Sequence, residues 1–270
     1  MAQVVTNPAT AGDVNVHGFR LYFRNKVTTT AAVNASATVP VQNANWFKAG
    51  DTVYIGVPGA SEQATVDSVT GNTITLAAAV TGEFPQGTPV RRVAWWHLGH
   101  VRNPDRTQER EVQEIFSAIT GKSTKIKEIV TSVSKGLTFE SISESDDLVR
   151  ALHTGNPAYA GAVAGSSVYV DDVNMVDGEI LLVQENAETG GIAYVEYKPA
   201  AQVSGDGFAQ GADGENESAL QFTCSFNADA NYTVPAAIVA SEPSAPFGVI
   251  VKCAADDLDD IVDVFADLTA

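Results

Sequence analysis

The chain has 270 residues, 44% hydrophobic and 18% charged, which supplies a sizeable core and excludes wholesale disorder. Its formal charge of −17, from 16 Lys+Arg against 33 Asp+Glu, excludes a free nucleic-acid binder, whose affinity comes from Lys and Arg displacing counterions at phosphates. No apolar run reaches the roughly 18–20 residues of a membrane helix, so no membrane insertion is expected. Residues 1–7 show neither a basic n-region nor an apolar h-region, which predicts no Sec-type signal. Two cysteines, Cys224 and Cys253, are too few for a disulfide framework and read as buried reduced thiols. The charge is unevenly divided. Residues 1–150 hold 14 basic and 14 acidic residues, while residues 151–270 hold Lys198 and Lys252 against 19 acids.

In chain order, Val16 to Arg24 alternates Phe19, Leu21 and Phe23 with Arg20, Tyr22 and Arg24, a strand pattern. Thr28 to Val39 is low-complexity sequence, a linker or a weak strand. Strands follow at Thr52–Val57, Glu62–Val69, Thr73–Leu76 and Pro89–Val93, with hairpin signals such as Gly71-Asn72 between them. These short strands predict a small β-barrel module over residues 28–93, inserted into a larger β domain formed by residues 1–27 and 94–241. Trp95-Trp96 opens the second part of that domain as a core anchor or an interface pair. A turn is expected at Asn103-Pro104-Asp105. Strands at Glu111–Thr120 and Thr124–Ile142 then flank a hairpin turn, Gly121-Lys122-Ser123.

The second of these strands carries the most information. From Glu128 to Glu140 the even positions read Glu128, Val130, Ser132, Ser134, Gly136, Thr138, Glu140, and the odd ones Ile129, Thr131, Val133, Lys135, Leu137, Phe139. One face is mostly polar and the other mostly apolar, over about thirteen residues where strands usually run to roughly 5–6. A strand that long with a wet face suits a large barrel or an assembled sheet. A helix follows over 144–153, with Ser143 and Asp146 as a capping pair, Asp146 and Asp147 at its positive end, an apolar stripe of Leu148, Ala151 and Leu152, and Gly155 as the stop. It is too short to stand alone and must dock. Strands are expected at Val168–Val173, Glu179–Gln184, Gly191–Tyr197 and Ala219–Phe226, with an acidic Gly-rich loop from Ser204 to Glu217. Residues 242–270 form a connector and an acidic amphipathic helix over 254–268, its stripe being Leu258, Ile261, Val262, Phe265 and Leu268.

The chain lacks the motifs of common catalytic sites: no Gly-x-Ser-x-Gly elbow, Walker A loop, His-Glu-x-x-His or paired Cys-x-x-Cys. His97 and His100 are three apart on a strand-like run and point to opposite faces. Asp171, Asp172, Asn174, Asp177 and Gly178 invite a calcium reading but break the EF-hand pattern. No enzyme, cofactor or metal site is expected.

The run Leu98-Gly99-His100-Val101, then Gln113-Glu114-Ile115-Phe116, the turn at Gly121-Lys122-Ser123, the long strand, the helix with Leu148, Leu152 and Gly155, and the late strand Gln221–Phe226 resemble, in order, the tail tube proteins of long-tailed bacteriophages. That fold is shared with the tube proteins of type VI secretion. The 28–93 insertion and the acidic 242–270 tail depart from the pattern. The resemblance implies a mainly β, tail-tube-type barrel or sandwich domain with one flanking helix, a virion subunit of stacked, hexameric rings around a genome channel. Implied partners are further copies, then tape measure, tail terminator and tail tip proteins, with DNA passing through without specific binding. Glu128, Ser132, Ser134, Thr138 and Glu140 would face the lumen; Asp146, Asp147, Leu148 and Leu152 would lie at a subunit seam. The acidic second half would line the channel and repel phosphates. Against this stand a secreted acidic β-sandwich that binds carbohydrate or acts as an adhesin, and a capsid or tail-completion protein.

Overall fold

The computed structural model describes residues 18–57, 60–117, 124–143, 145–171, 174–186, 192–209, 218–241 and 243–266. The fold is mainly β, one 13-stranded antiparallel sheet with two helices. Its strands are β1 (Gly18–Thr28), β2 (Val33–Asn34), β3 (Thr38–Pro40), β4 (Thr52–Val57), β5 (Ala60–Thr70), β6 (Thr73–Leu76), β7 (Glu83–Phe84), β8 (Pro89–Arg92), β9 (Trp96–His97), β10 (Val101–Ser117) and β11 (Thr124–Ser141). After helix α1 (Asp147–Thr154) come β12 (Tyr159–Ala160), β13 (Ser167–Val168), β14 (Val176–Asn186), β15 (Ile192–Ala209), β16 (Ala219–Phe226), β17 (Val249–Ala254) and helix α2 (Leu258–Ala266). β2 pairs with β7, and β12 with β13, outside the main sheet.

The main path runs β10-β11-β16-β15-β14-β1 and continues through β8 into β4, β5, β6 and β3. β9 pairs with the middle of β1, and the Leu98 amide donates to the Leu21 carbonyl before the chain enters β10. The 96–117 track thus ties β1 to the far edge and curls the sheet around one core. That core joins Leu21, Phe23, Trp96, Leu137, Phe139 and Phe222 with Val149, Ala151 and Leu152 of α1. A second cluster fills the 27–90 region with Val39, Val53, Ile55, Ile74 and Val90. A third lies under α2, where Leu258, Val262 and Phe265 pack on Leu181, Val183, Val195 and Tyr197. Trp95 and Trp96 are both core residues, in the third and first clusters respectively.

Several sequence expectations change. Asn103-Pro104-Asp105 is not a turn: β10 runs through it with a register shift between Arg102 and Asp105, where Asn103 takes φ +52°. A bulge lets the strand carry Pro104, which has no amide to donate, without stopping. The expected loop from Ser204 begins instead as strand, because β15 continues to Ala209; residues 210–217 lie outside the described residues, as do Gly121-Lys122-Ser123 and Asp172. The expected strand Val168–Val173 shortens to β13. β17 is an unexpected strand on β15 that delivers α2 to its apolar seat. In α1 the N-cap is Asp146, whose carboxylate accepts from the Leu148 and Val149 amides, not Ser143. The Ser143 hydroxyl instead accepts from the His100 amide.

Candidate functional surface

The polar face of β11 belongs to a wider polar surface. Directly paired residues share a face, so Ser134, Thr138 and Glu140 stand beside Glu109, Asp105 and Arg102 of β10 and beside Gln221 and Thr223 of β16. The surface continues to Ser204 and Gln202 of β15 and Asp177 of β14. Lateral bonds tie it together. Glu140 accepts from Arg102 Nε at 2.6 Å, Asn103 Nδ2 at 3.2 Å and Gln221 Nε2 at 3.4 Å. Asp206 accepts from the Thr223 hydroxyl at 3.2 Å and Asp177 from Gln202 at 2.9 Å. Burial raises the Glu140 pKa, but Arg102, Gln221 and Asn103 together hold it below the ordinary carboxylate value. Asp177 and Gly178, part of the calcium reading, are strand residues here, and the described residues hold no group of metal ligands.

Glu128 does not share this surface. The β10–β11 register slips between Glu111/Ser132 and Val112/Val130, leaving Thr131 as an extra residue. Along β10, which has no extra residue between Asp105 and Ile115, Glu111 and Glu114 fall on opposite faces. Their partners Ser132 and Glu128 therefore do too. Ser132, Ser134, Thr138 and Glu140 remain on one wet face, as the period-2 pattern predicts; Glu128 sits on the face of Leu137. One bulge resets the alternation.

The bulge also marks a change in structure. β16 pairs with β11 only from Lys135 to Ser141. Beyond it β10 and β11 continue as a two-stranded arm, about 25 Å long at the usual rise per residue. Its apolar residues are exposed: Val112, Ile115, Phe116, Ile126, Ile129 and Val130, with Ile126 63% accessible. The register puts Val112 and Val130 on one face and Ile115 and Ile129 on the other. Within the arm Lys125 pairs with Glu114 and Glu128, and Glu111 accepts from the Ser132 hydroxyl at 3.0 Å.

Of the residues expected at a subunit seam, Leu148 and Leu152 pack inside this chain, while Asp146 and Asp147 are exposed. Leu152 is fully buried and Leu148 half-buried in the first core, so α1 docks on β15 and β16 of its own sheet. The His153 ring lies 2.8 Å from the Gly207 carbonyl, and Gly205 comes so close to the His153 carbonyl that a Cβ there would overlap it. Asp146 caps the helix. Asp147 accepts from the Tyr169 hydroxyl and from Ser167 at 3.1 Å, bonds that hold its carboxyl below its ordinary value. The β12–β13 ribbon thus lies against α1 and presents its other side to solvent.

Among the described residues, the negative charge is not gathered on the wet face. Glu179 and Glu196 are buried, and Asp256, Asp257, Asp259, Asp260 and Asp263 are exposed on the α2 segment, over a different part of the sheet. Glu179 sits between Arg24 Nε at 2.6 Å and Arg91 Nε at 2.7 Å, with Lys26 at 3.7 Å. Burial pushes its carboxyl up, and the three cations outweigh that, bringing it down to about 2. Because Arg91 lies on β8, this cluster clamps the 28–93 region onto β1 and β14; nothing in the sequence spacing announces it. Compared with known protein families and with curated proteins, the chain matches none.

Proposed function

We propose that this chain is a structural subunit that assembles with copies of itself into stacked rings, forming a tube of the phage tail type through which a genome passes. The observation that carries the reading is the β10–β11 arm. A lone hairpin is marginal in water, and this one exposes apolar residues on both faces, a liability that contact with another molecule removes. The hydrogen-bonded polar surface at its base supports the same reading, since a channel wall must be wet and rigid. Ser132, Ser134, Thr138 and Glu140 would face the lumen with few free cations to hold phosphate. The role is structural, without catalysis or cofactor, within a virion whose other parts would be tape measure, terminator and tip proteins.

Negative-stain microscopy of the purified protein tests this. Rings or tubes of roughly 8–10 nm outer width are expected from six domains around a pore. A chain that stays monomeric at high concentration and binds glycans on an array would overturn it in favour of a β-sandwich binding module.

A further inference from the structure

The geometry points to the receptor for the arm: the outer side of the β12–β13 ribbon on a second copy of this chain. The inference rests on the self-assembly proposed above and adds which surfaces meet. Tyr159 pairs with Val168, so both share a face, and Val170 follows just past the end of β13. All three are exposed, and Val163 at the ribbon's tip is 73% accessible. The opposite face is already used, by Ser167 and Tyr169 on Asp147 of α1. The ribbon is therefore a seated platform with an apolar top.

Charge selects the occupant. Two copies each carrying −17 repel, and contact costs least where neither surface is charged. Residues 154–170 contain no Asp, Glu, Lys or Arg, in a half of the chain that holds 19 acids. The arm sequence, residues 109–134, holds four cations (Arg110, Lys122, Lys125, Lys127) and four anions (Glu109, Glu111, Glu114, Glu128). A neutral apolar arm and an uncharged apolar platform are thus two matching surfaces on one chain. Because they are different patches, a head-to-tail contact between them repeats from copy to copy and extends a stack wherever it does not close on itself.

The test uses two variants of the full chain. Ile129→Glu with Val130→Glu spoils both faces of the arm and leaves the platform intact. Tyr159→Glu with Val168→Glu spoils the platform and leaves the arm. Each alone should raise the concentration needed for assembly, read by analytical ultracentrifugation, at least about tenfold. Mixed in equal amounts they should form a 1:1 complex that grows no further, since one intact arm and one intact platform remain to meet. That complex also shows that both variants are folded. A platform variant that assembles at the wild-type concentration, or a mixture with no mixed complex while wild type forms tubes, overturns the arm-to-ribbon contact and leaves the tube reading standing. A wild-type chain that stays monomeric overturns both.

Discussion

Glu179 is a fully buried carboxylate held among Arg24, Arg91 and Lys26. Replacing it with Gln leaves those cations buried without their shared counter-charge, and the expected cost is about 3–5 kcal/mol in urea unfolding. The pH dependence follows from its lowered pKa. An unfolded Glu titrates near 4.3, whereas folded Glu179 titrates at about 2, so in acid the unfolded chain takes up the proton first. Its contribution is fully present above about pH 5 and is lost as pH falls toward 2. Glu179→Gln should remove that part of the acid dependence of Tm. At Gly205, Ala would press a Cβ onto the His153 carbonyl, forcing α1 off β15, at an expected cost of about 1–3 kcal/mol. A Gly205→Ala variant as stable as wild type would refute the close helix seat.

Among elements, the arm and α1 behave oppositely. The helix has its own cap, its own stop at Gly155 with φ +75°, and a buried stripe; Asp146→Ala should cost about 1 kcal/mol. Among the described residues, the arm beyond Lys135 has no strand pairing outside its own two strands. Replacing residues 110–133 with a short turn should therefore leave Tm within a few degrees of wild type and abolish assembly. Its amides should exchange with solvent far faster than those of β14 and β15. The strands, the helix and its apolar stripe were legible from periodicity, because each pattern is local. β17 and the run of β15 on to Ala209 were not, and neither were two features of β10 and β11. The extra residue at Thr131 reverses the faces without altering composition, so Glu128 read as part of a polar row that it leaves. Pro104 reads as a breaker in isolation, yet the bulge beside Asn103 carries β10 through it.

For the whole molecule, charge is the dominant long-range force between copies. At 0.01 M salt the screening length is about 30 Å and at 0.15 M about 8 Å. Assembly should therefore strengthen across that range, and light scattering at fixed protein concentration reads it directly. What the sequence by itself determined is the mainly β class, the wet strand face from Ser132 to Glu140, the acidic second half and the short docked helix, since each is written in residues that are neighbours along the chain. Only the tertiary structure decided that α1 spends its apolar stripe on its own sheet, that Glu179 meets cations from β1 and β8, and that β16 stops supporting β11 at Lys135. Those depend on which distant segments share a boundary, and local periodicity carries no record of where a neighbouring strand ends.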